Sequence, residues 1–104
     1  MSFTDAKLNE YKKKHPEGVH MIEVVMDEDG KDVANALLRH PDLDTVLASN
    51  DLHPESIIRQ GFMILDNCWL EGDNRIKENP EAKVSAAIQA AGLFRLKIAN
   101  VKKL

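Results

Sequence analysis

An acidic turn constrains this chain more than any other feature. Asp27-Glu28-Asp29-Gly30 stands between two apolar runs. Gly accepts the positive φ that a tight turn requires, so an Asp-Gly pair after a β-branched run predicts a β-hairpin. The first run, residues 19–26 (Val-His-Met-Ile-Glu-Val-Val-Met), is dense in strand formers, although its alternation is imperfect. The second, Lys31 to Leu38, is ambiguous: Val33, Ala34, Ala36, Leu37 and Leu38 also suit a helix. The turn favours a second, antiparallel strand. Two strands alone are marginal in water, so the hairpin needs a helical layer over it.

The remaining segments supply helices. Residues 3–14 read as one, capped by Ser2 or Thr4, with Leu8, Tyr11 and Phe3 on one face. Lys12, Lys13 and Lys14 suit the negative end of its dipole, and Pro16 stops it. Asp42 or Asp44 caps a short helix over 43–50. Pro54, in a first-turn position, opens a longer one. There Ile57, Ile58, Gly61, Phe62, Leu65, Cys68 and Trp69 recur at helical steps and predict a buried stripe, with Gly72 as a left-handed cap at its end. Asn79-Pro80-Glu81 starts the final helix. In it Ala87, Ala91, Phe94, Ile98 and Val101 step by four, three, four and three, with Val84 and Ile88 widening the stripe. The expected fold is one α+β domain over residues 1–104: an N-terminal helix, a hairpin in a small antiparallel sheet, then three helices of which the last is long.

Charge and composition narrow the function classes. Of 104 residues, 43% are hydrophobic and 30% charged, which suits a globular chain able to bury its own core. The formal net charge is -3 with no long basic stripe, a poor match to nucleic acid or to an anionic membrane surface. No segment approaches the roughly 20 apolar residues that span a bilayer. The opening Met1-Ser2-Phe3-Thr4-Asp5 lacks a signal-peptide pattern, and Cys68 is the single cysteine, so a cytoplasmic location is expected.

Catalytic patterns are weak. His15, His20, His40 and His53 lie at no metal-ligand spacing, and three of them precede prolines, where a solvated imidazole in a loop is the ordinary outcome. Asp27-x-Asp29-Gly30 has Ala36 where a calcium loop needs Glu. Cys68 sits on an apolar stripe near a helix end, which does not activate a thiol. None of the four serines lies in G-x-S-x-G, and the five glycines are scattered singly. The expectation is a protein with no catalytic residues, no metal and no cofactor. Small residues on the last helix permit close approach: the bland reading is core, and the sharper one is a partner-binding or self-association face built of Ala87, Ala91, Phe94, Ile98 and Val101.

A resemblance sharpens this. Leu37-Leu38-Arg39-His40-Pro41-Asp42 is similar to an "LR-x-P-D" segment joining a strand to a helix. Asn67-Cys68-Trp69-Leu70-Glu71-Gly72-Asp73 follows, then Ile76, then an amphipathic segment ending Lys102-Lys103-Leu104. In this order the chain resembles small tail-assembly chaperones or tail accessory proteins of tailed phages and prophages, with the pattern "N-C-W-x-G-G-D-x-x-I". Glu71 stands where that pattern more often has Gly. The resemblance covers about two-thirds of the chain, from the hairpin onwards. It implies a role in binding a tape-measure or tail-tube protein during assembly, and carries no catalytic residues. The alternatives are a structural component of the tail or virion and, less favoured, a small enzyme.

Overall fold

The computed structural model describes residues 3–94 and 99–104. The acidic turn folds as its residues require. Gly30 takes φ +74°, and Asp27 Oδ1 accepts the Asp32 backbone N–H at 3.0 Å. On either side lie β1 (Val19–Val25) and β2 (Val33–Arg39), antiparallel and in unbroken register from Val25 opposite Val33 to Val19 opposite Arg39. The turn therefore overrides the helical propensity of residues 33–38.

Four of the helices begin at side-chain caps. Thr4 caps α1 (Asp5–Lys14), Asp42 caps α2 (Leu43–Leu52), Ser56 caps α3 (Ile57–Cys68) and Asn79 caps α5 (Pro80–Ala91), each accepting a first-turn backbone N–H. Pro54 is not in the first turn of α3, as the sequence suggested. It lies in the preceding turn, where Ser56 N–H donates to the His53 carbonyl at 3.3 Å and the Ser56 hydroxyl starts the helix. A single extra turn, α4 (Arg75–Glu78), precedes α5 and carries buried Ile76.

Two further expectations change. Gly72 is not a left-handed helix cap. The helix α3 ends at Cys68, the backbone becomes extended at Trp69, and residues Trp69–Gly72 form β3, antiparallel to β2 with an irregularity at Leu37/Leu38. Gly72 stands opposite Ala36, and a Cβ there would lie 2.6 Å from the Ala36 Cβ and 2.8 Å from the Trp69 ring. The last helix stops at Ala91 rather than continuing to Val101. The Gly92 N–H donates to Gln89 and the Leu93 N–H to Ala90, both at 3.1 Å, which tightens the final turn and closes the helix. Ile98 lies outside the described residues, and residues 99–104 have no regular structure.

The three strands are ordered β1-β2-β3. Ile22 and Val24 of β1, with Ala34, Ala36 and Leu38 of β2, form one core with Ile64, Leu65 and Cys68 of α3, Ile76 of α4 and Ala82, Ala86 and Ala90 of α5. The strand residues alternate, as one face of a sheet must. Leu37 is equally buried but belongs to the other face, where its register partner Glu71 takes an ion pair from Lys7 of α1 at 2.6 Å. The helices α3 and α5 pack backbone to backbone: a Cβ built on Gly61 would fall 2.0 Å from the Ala87 carbonyl oxygen. No helix among the described residues is long and apolar enough to cross a membrane.

Candidate protein-binding surface

The five residues singled out on the last helix do not share one surface. Ala87 is fully buried under Gly61, and Ala91 and Phe94 are half-buried. Val101 is fully exposed on an irregular segment, and Ile98 lies outside the described residues. Phe94 leaves the helical path and stacks against His40, with ring centroids 6.5 Å apart.

Exposed large apolar side chains concentrate on α2 and the start of α3. Leu43, Leu47, Leu52, Ile57 and Ile58 are 39–65% exposed, too much for core positions. The cause is local. Helix α2 buries only Ser49, whose hydroxyl turns back to donate to the Val46 carbonyl at 2.8 Å. With so small a buried stripe, α2 leaves its leucines in solvent. Leu43 and Leu47 are one helical turn apart and so share a face. The helix pair is fastened by Gln60, whose amide donates to the His53 carbonyl at 2.7 Å. Asp42, Asp44, Asp51 and Glu55 are exposed around the apolar residues, and Arg59 is the only Lys or Arg in residues 42–60. Helical spacing alone places Ile57 and Ile58 in a buried stripe, and the structure leaves them exposed. For Leu43 and Leu47 the sequence signal is their four-residue spacing.

The groups considered for chemistry are held in structural roles. Cys68 is buried, which pushes its thiol above the ordinary value, and nearby Arg39 only partly offsets this. Asp27 is occupied by the hairpin turn. Arg75 is forked twice: it donates to both oxygens of Asp32 at 2.7 and 3.1 Å, and to Asp73 at 2.9 to 3.2 Å. These hydrogen bonds hold the Asp32 and Asp73 carboxyls below their usual range. The network ties the hairpin to α4.

One histidine departs from the solvated-loop reading. His40 Nδ1 lies 2.9 Å from His20 Nε2 in a part-buried contact, where one ring donates and the other accepts. The two are far apart in sequence and meet because β1 and β2 pair. Among the described residues, no group of three His, Cys, Asp or Glu side chains converges as a metal site.

Comparisons with protein-family models, with curated proteins and with solved structures find no match to this chain.

Proposed function

We propose that this domain is a protein-binding module that acts as a tail-assembly chaperone, holding a tape-measure or tail-tube protein before assembly. The observation that supports this most is the exposure of large apolar side chains on α2 (Leu43, Leu47 and Leu52) and at the start of α3 (Ile57 and Ile58). Leu43 and Leu47, exposed one turn apart on a face of α2 with acidic residues beside them, are what a protein-interaction surface presents. An amphipathic helix of a client covers the Leu43–Leu47 face with its apolar side and is kept out of aggregates while bound. The acidic rim adds a preference for clients with basic flanks. The tail-protein client comes from the resemblance of the segments around Arg39 to Asp42 and Asn67 to Asp73.

The test is co-expression with tagged candidate tape-measure and tail-tube proteins, followed by pull-down. The wild-type chain captures one of them. The double variant Leu43→Glu, Leu47→Glu loses capture. Its thermal stability stays within about 0.5 kcal/mol of wild type, because both side chains are already half in water. A folded wild-type chain that captures neither candidate overturns the reading. Capture that survives the double variant moves the binding surface elsewhere.

A further inference from the structure

A second surface runs along β1. A groove of about 440 Å³ is lined on one side by residues 21–25 and on the other by Ser85, Gln89 and Leu93 from α5 and the turn after it. Five consecutive residues of one strand reach the same groove. Successive side chains of a strand point to opposite faces, so one face cannot supply all five. Ile22 and Val24 point into the core, while Met21, Glu23 and Val25 are exposed. The groove therefore follows the backbone edge of β1.

That edge is open among the described residues. β1 is the terminal strand in the order β1-β2-β3, and its ladder with β2 uses one side of the backbone. About half of its N–H and C=O groups point the other way, into the groove. Exposed edges are usually blunted by proline, by a bulge or by several charges. β1 contains no proline and no register shift, and its one Asp, Glu, Lys or Arg is Glu23, in the middle of the groove-lining residues 21–25. None of the ion pairs among the described residues involves Glu23.

We propose that the β1 edge binds an extended segment of a partner protein by strand addition, with a Lys or Arg of that segment opposite Glu23. The backbone groups of β1 continue the sheet by one strand. On the outer face the added strand meets Met21, Glu23 and Val25, an apolar-acidic-apolar row. Its complement is a basic residue flanked by apolar ones, two positions away on either side. On the inner face it lies beside Ser85, Gln89 and Leu93, which accept small or apolar side chains. This site is separate from the α2–α3 surface and does not depend on it.

The probe is a capped nine-residue peptide alternating Val and Thr around a central Lys. Amide hydrogen exchange is followed by NMR on the full chain. The groove-facing amides of β1 exchange fast in the free protein and slow at least tenfold with millimolar peptide. Glu23→Lys weakens binding of the Lys peptide by about tenfold, and a Glu-centred peptide restores it. The same peptide N-methylated on its ladder-forming amides does not bind. Four results overturn the proposal. The first is protection of those amides in the free chain at all concentrations, which means the edge is covered from within. The second is protection that rises with protein concentration alone, which makes a second copy the occupant. The third is no protection at millimolar peptide. The fourth is equal binding of the N-methylated peptide, which removes the backbone ladder from the recognition.

Discussion

Adding one methyl group at Gly61 tests how α3 and α5 are held together. In a helix interior the change from Gly to Ala is by itself stabilising, by about 0.5–1 kcal/mol, because the unfolded chain loses freedom. At Gly61 the new Cβ would stand 2.0 Å from the Ala87 oxygen, 2.5 Å from its carbonyl carbon and 3.0 Å from its Cα. Carbon atoms in good contact sit about 3.5–4.0 Å apart, so the helices must separate by roughly 1 Å or more. The obstacle is backbone, which cannot change rotamer. Forcing extra atoms into a packed core costs about 1–3 kcal/mol, occasionally more, and separation also loosens Ala86 and Ala90 beside it. With a backbone obstacle this close the overpacking sits at the upper end, about 3 kcal/mol, and less the propensity gain the net is a destabilisation of about 2 kcal/mol. For a domain this size that lowers Tm by about 10 °C. Thermal unfolding followed by circular dichroism reads it directly. Gly92→Ala is the control, because there φ is -84° and the nearest atom to a new Cβ is 3.5 Å away. That variant stays within about 0.5 kcal/mol of wild type. If Gly61→Ala melts at or above the wild-type temperature, α3 and α5 do not meet backbone to backbone and the packing argument fails.

Acid sensitivity follows from the Arg75 fork. Hydrogen bonds from Arg75 are the main cause of the lowered pKa at both Asp32 and Asp73. A depressed folded pKa stabilises above the unfolded carboxylate value, so this contribution is full at neutral pH. It is lost as pH falls from about 4 through the lowered values. Urea midpoints measured across that window should fall less steeply for Asp32→Asn than for wild type, and identical slopes would remove the fork from the acid response. For Cys68, burial predicts that a thiol-specific disulfide reagent labels the native chain slowly and the urea-unfolded chain at the rate of a free thiol. Fast labelling of the native chain contradicts the buried position.

The parts of this fold that were legible beforehand rest on neighbours a few residues apart. The hairpin turn needs only Asp27 and Gly30, and the N-terminal caps need only an oxygen three residues before the N–H it accepts. The candidate surface was less legible. Ile57 and Ile58 fit the same helical spacing as Leu65 and Cys68, yet they are exposed because α5 packs over Gly61 and leaves the start of α3 uncovered. Spacing identifies a face of a helix, but not how far along that face the neighbour extends.

What the residues determined alone is the order of α1, the hairpin and helices α2, α3 and α5, because backbone conformation there is set by φ preferences, caps and periodicity within one or two turns. Tertiary structure decided the rest. Trp69–Gly72 is a strand because β2 lies alongside to pair with it, across more than thirty positions of sequence. α5 ends at Ala91 although its apolar spacing continues, and Phe94 instead stacks on His40. His20 and His40 meet only because the ladder of β1 and β2 puts them there. In each of these cases the deciding partner is remote in the chain, and its free energy of contact exists only once both segments are already in place.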